Sequence, residues 1–319
     1  MRAALLVSGY ALAVAWHAPA VLARLTGPGA SARLGLAAWS AAMASVLASA
    51  LVAVQFLVRA AVAGWPGLAE AVCRSVAGGA CAPAVYRSAA FELALALAAV
   101  TAALAVTAAA WRYGRRVQQG QRRTRAHADV ARMIGRRLPG VSAAVVLDAA
   151  QRAAYCVPGR PATIVVTSGA LAVLDRAQLT AVLAHERAHL AGRHHLLIAA
   201  TRALAASFPA VPLFTRGPAE VARLAELRAD DAAARHSGRP ALITALLAMG
   251  TGTAVPAAAL AATACAVTAR VQRLLEPPRR SRRARYSLAL IMVMLPLALA
   301  PGLAVALAGP LTAHGITIG

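Results

Sequence analysis

His185, Glu186 and His189 stand in the order HERAH. Two histidines four residues apart on a helix lie on one face, one turn apart, so both imidazoles can reach a single Zn2+. Zinc lowers the pKa of a bound water toward about 7, and a carboxylate beside the first ligand can take its proton as it attacks a carbonyl. The residues therefore point to hydrolysis of an amide bond, with Glu186 as general base. A catalytic zinc site takes three protein ligands, so a third is needed.

Two candidates compete for that place. HERAHLAGRHH contains the longer HExxHxxGxxH spacing, which would make His195 the ligand after a turn at Gly192. Metzincins, which carry that spacing, also use a methionine turn downstream, and here only Met249 precedes the last apolar run. The stronger candidate is Glu226. It stands four residues before Asp230 in ELRADDAAAR, so both carboxylates share a helix face. One can bind zinc while the other orients a ligand histidine. His194, beside the helix end, reads as solvated, and Cys156, in an apolar run, reads as core.

The elements that must hold these groups are legible nearby. The runs 142–148, 153–157 and 162–167 are short, apolar and bounded by turn residues such as Pro158 and Gly159, as strands are. Asp175 followed by Gln178 predicts a capping box opening the helix that carries His185. A second helix is expected over 218–236, ended by Gly238 and Pro240. Residues 113–137 read as a basic helix or linker.

The rest of the chain is unlike a soluble domain. Hydrophobic residues make up 60% and charged residues 14% of the 319 residues, against about 25% charged in soluble domains. Runs over 3–23, 34–58, 91–111 and 287–307 are long and apolar enough to span a bilayer. The net charge is +22, carried by 33 arginines with no lysine. The arginines cluster at 112–125 and 279–285, beside apolar runs, so we read them as cytoplasmic flanks and expect no direct nucleic-acid partner. The expected organisation is a three-span membrane region (1–111), a cytoplasmic metallopeptidase domain (112–286), a fourth span (287–307) and a short extracytoplasmic tail (308–319). Both termini would lie outside the plasma membrane. Cys73 and Cys81, in the outer loop, would be able to form a disulfide. The apolar stretches 196–214 and 241–269 are expected as buried or membrane-surface helices, because a full crossing would place Glu226 on the opposite side from the histidines.

TIVVTSGALAVLDRAQLTAVLAHERAHLAGRHHLL followed by EVARLAELRADDAAAR resembles the BlaR/MecR-type membrane metallopeptidases, and also the related HtpX-type and CAAX prenyl proteases. The resemblance covers about 140–236 and, more loosely, the span arrangement. It implies zinc on His185, His189 and Glu226, Glu186 as base and Asp230 as support. It also implies an α+β gluzincin-like zincin domain, with a small sheet beside the active-site helices, within a mainly helical multi-pass membrane protein. An edge strand near Thr163, Ile164, Val165, Val166 and Thr167 would pair with an extended substrate. BlaR-type transducers carry an extracellular penicillin-binding sensor after the last span; here only 308–319 follow that run, so the peptidase part alone is expected. The function so implied is regulatory cleavage of a cytoplasmic transcriptional repressor. The alternatives are quality control of membrane proteins in the HtpX manner, and a non-enzymatic membrane scaffold that would bind no metal.

Overall fold

The computed structural model describes residues 2–27, 29–63, 65, 88–141, 143–159, 161–250 and 257–313. Cys73 and Cys81 lie outside the described residues, and so does the disulfide expected between them. Helices α1 (Arg2–Leu25), α2 (Ala32–Ala63) and α3 (Ala89–Ile134) come first. Four short strands follow: β1 (Arg136–Arg137), β2 (Ala144–Leu147), β3 (Ala154–Val157) and β4 (Thr163–Thr167). The remainder is helical: α4 (Ser168–Leu171), α5 (Arg176–Ala191), α6 (His194–Ser207), α7 (Pro212–Ser237), α8 (Arg239–Gly250), α9 (Ala257–Leu275) and α10 (Arg280–Ala313).

Among the described residues, four helices are long and apolar enough to cross a membrane: α1, α2, α3 and the Arg280–Ala306 part of α10. They contain the four runs expected from the sequence, to within a few residues at 307. The third does not stop at 111. It continues as one helix to Ile134, and Gly135 closes it by donating its backbone N–H to Ala131 O. Residues 112–134 contain no proline, and the buried Ala128 and Ala131 give this extension a surface to pack on. The expected boundary at 111/112 thus falls inside a continuous helix.

The sheet has the order β1-β2-β4-β3, with β2 and β4 parallel and β3 antiparallel to β4. One face carries Val145, Val157 and Val165 against Ala128 and Ala131 of α3. The other carries Ala144, Ile164 and Val166 against Leu183 and, at its margin, Leu179 and Leu190 of α5. A strand covered on both faces reads as an unbroken apolar run, and every residue of β4 is buried. This position corrects one expectation. Thr163–Thr167 is not an edge strand: both of its sides are already paired, so it has no free backbone groups to offer a substrate. The open edge on that side of the sheet belongs to β3.

The α6–α7 hairpin covers most of the 196–214 stretch. Its Leu204, Leu213, Phe214, Val221 and Leu224 share one core with Leu22 of α1, Leu36, Trp39 and Met43 of α2, and Leu290 of α10. Leu224 lies against Gly35, where an added methyl group would press on its side chain at about 3.0 Å. Phe214 and Glu226 are twelve residues apart on one helix, or about 18 Å. The apolar half of α7 is therefore set among the candidate spans, while Glu226 emerges just past the level where α2 begins.

Candidate metal centre

Helix α5 opens with the expected capping box. The Asp175 carboxylate accepts from the Gln178 backbone N–H at 2.8 Å, and the Gln178 side chain accepts from the Asp175 N–H at 3.0 Å. With that end fixed, the third and fourth turns carry His185 and His189 on the side facing α7. His185 and Glu186 are buried. Their partner on α7, Glu226, is 41% exposed, so the cluster opens to solvent past the Glu226 carboxylate.

His185, His189 and Glu226 each offer one ligand atom, and the three atoms lie within 4.8 Å of one another. The two Nε2 atoms are 3.1 Å apart, and the Glu226 oxygens stand 3.4 Å from His185 Nε2 and 3.4 Å from His189 Nε2. A tetrahedral zinc with Zn–N bonds of 2.0–2.1 Å separates its donors by about 3.3 Å. The donor types and spacings therefore fit one zinc ion. Bound there, it would polarise a substrate carbonyl and make a water acidic enough to deprotonate near neutral pH.

The remaining ring nitrogens are also held. His185 Nδ1 lies 3.1 Å from Asp230 Oδ1. Asp230 is wholly buried. Its charge is matched by Arg270 of α9, which donates to both carboxylate oxygens at 2.8 and 2.6 Å and also reaches Glu226 at 3.1 Å. Burial alone would raise the Asp230 pKa, but Arg270 and His185 hold it down at about 2. Glu226 is likewise held below its ordinary value, against burial, by His185 and Arg270.

His189 is tied differently. Helix α5 ends at Gly192, and Arg193 takes a left-handed backbone conformation with φ 48°. This break turns the next helix so that His194 is buried with its Nδ1 3.0 Å from His189 Nδ1. If His189 binds metal through Nε2, its Nδ1–H donates to His194. A side chain at Gly192 would overlap the His194 ring, so the close approach requires glycine there. One expectation is corrected here: His194 is not solvated but buried against the His189 ring. His195, after the same turn, lies apart from the three donors and lines a separate cavity with Leu190, Arg193 and Pro158.

The electrostatics suit a cation. Burial opposes a charge on His185, yet Asp230 and Glu226 lift its pKa to about 9, while burial and His185 push His189 down to about 4. Two carboxylates thus draw one positive charge into the cluster, where a zinc ion would supply it, and His189 keeps a free lone pair. Burial raises Glu186 to about 7, near the value suited to a base at neutral pH. Cys156 lies beside Glu186, and its thiol and backbone N–H pull the Glu186 pKa down against the effect of burial. Burial first, and Glu186 second, push the Cys156 thiol up to about 12, so it stays protonated as a donor. Cys156 sits on β3, which brings the open edge of the sheet beside Glu186.

A model of peptidase family M48 matches residues 117–277. The chain belongs to peptidase family M48. That membership makes it a metallopeptidase, and the M48 region takes in all three metal-site donors, Glu186, Asp230, His194 and Arg270. It is framed by α3 on one side and the start of α10 on the other. No curated protein and no solved structure matches the chain.

Two variants probe the groups behind the donors. Asp230→Asn keeps the shape but weakens the hold on His185, and zinc affinity is expected to fall about 10–100-fold, as read by chelator competition. Arg270→Ala takes from the buried Asp230 carboxylate the guanidinium that matches its charge, and unfolding stability should drop by about 3–5 kcal/mol, as read by denaturant melts of the metal-free chain. Unchanged stability would mean that water replaces the guanidinium without loss.

Proposed function

We propose that this chain is a zinc-dependent endopeptidase of the cell membrane, with its active site on the cytoplasmic side, that cleaves a cytoplasmic protein. The observation that carries the reading is the convergence of His185, His189 and Glu226 with Glu186 adjacent and buried. Glu186 would take the proton of the attacking water and return it to the leaving amine. The open edge of β3, beside Glu186, is where an extended substrate backbone would pair. This replaces β4 in that role.

By the resemblance to BlaR/MecR-type peptidases, the candidate substrate is a transcriptional repressor. The second reading, quality control of membrane proteins, is favoured by the placement of Glu226 close to where α2 begins. The test uses zinc-loaded full-length chain in detergent, incubated with proteins of the cell that makes it, beside the Glu186→Gln variant. New N-termini are mapped by mass spectrometry. Cuts confined to a DNA-binding protein support the repressor reading, and cuts across many membrane proteins support quality control. No cut that depends on Glu186 would remove the endopeptidase proposal.

A further inference from the structure

A second site of charge lies behind the metal cluster. A cavity of about 240 Å³ opens between the end of α7, the start of α8, the end of α9 and the start of α10. Arg235, Arg239, Arg273 and Arg283 line it, against the single carboxylate of Asp231. That carboxylate is fully engaged by Arg273, which donates to its two oxygens at 2.9 and 3.0 Å. Among the described residues, no carboxylate pairs with Arg235, Arg239 or Arg283, all of which are exposed. Guanidinium groups converging from separate helices repel one another unless an anion sits between them. Their planar forks suit phosphate oxygens in particular.

The position narrows the source of that phosphate. Arg283 lies in the first turn of α10, the helix whose apolar body is long enough to span a bilayer. Its neighbour Arg282 packs on Gly29, in the link between α1 and α2. The cavity thus sits where three candidate spans meet the peptidase domain, at headgroup level if those helices cross a bilayer. The cavity also adjoins the catalytic framework. Asp231 follows Asp230 on α7, and Arg273 stands one turn after Arg270 on α9, so the same two helices carry the ion pairs of both places.

We infer that this cavity binds a phosphate group, presented by the headgroup of an acidic phospholipid, and that the bound group braces α9 against α7. The proposal goes beyond the peptidase reading and needs no catalytic activity. It is tested by titrating detergent-purified full-length chain with phosphatidylglycerol or phosphatidylcholine under native mass spectrometry, and separately with radiolabelled inorganic phosphate. The pocket variant is Arg235→Gln/Arg239→Gln/Arg283→Gln. A variant with equal charge loss on another flank, Arg112→Gln/Arg115→Gln/Arg116→Gln, is the control. Retention of phosphatidylglycerol, but not phosphatidylcholine, should weaken by at least about tenfold in the pocket variant and persist in the control. Inorganic phosphate bound with the same dependence, without lipid retention, keeps the phosphate site and moves its source to solution. Equal binding by wild type and pocket variant, or equal loss in the control, would overturn the site in favour of diffuse charge.

Discussion

Glu226→Ala will empty the metal centre of the full-length chain. In its absence two imidazoles remain, and the Arg270 guanidinium, which stands 3.1 Å from Glu226, faces the vacated position with Asp230 alone to balance it. A cation there loses a ligand and gains a repulsive neighbour. The loss should exceed the 10–100-fold drop typical of removing a supporting partner. Elemental analysis after dialysis against a weak chelator should find zinc near one per chain in the wild type and near zero in the variant. His195→Ala should keep its zinc, since His195 lies in a different cavity. Zinc retained by Glu226→Ala but lost by His195→Ala would sink the assignment.

Glu186→Gln separates metal from chemistry. The amide has the shape of the carboxylate and can occupy the same place beside Cys156, so the local structure should hold. It cannot take a proton. Turnover of any peptide the wild type cleaves should fall by on the order of 10²–10⁴-fold, with zinc content unchanged. Undiminished turnover would place the base elsewhere. Loss of zinc would instead show that Glu186 helps to hold the site together.

The parts of this site that could be read in the sequence are those set by local spacing. A four-residue interval on a helix fixes a shared face whatever surrounds it, so His185 with His189, and Glu226 with Asp230, were legible. The Asp175–Gln178 box was legible for the same reason, since the cap is made within one turn. Arg270 was not, because its contact joins residues forty positions apart and depends on how α9 is laid against α7. His194 was missed because its position follows from a left-handed residue at Arg193, a conformation that an arginine does not advertise. The strand order was misjudged for a related reason. Apolar content marks β4 as buried, but not which neighbour lies outside it. Only the parallel pairing of β2 with β4 leaves β3 at the edge.

The course of α7 has a mechanical meaning. Its apolar half is embedded with α1, α2 and α10, while the histidines ride on α5, which is fastened to the sheet. The three donors thus belong to two differently anchored bodies, and α7 is the beam between them. A shift of about 1 Å in a catalytic constellation can cost on the order of 10²-fold in rate. A rearrangement among the candidate spans would therefore be carried along α7 to the Glu226 carboxylate, on which a metal at this centre would depend.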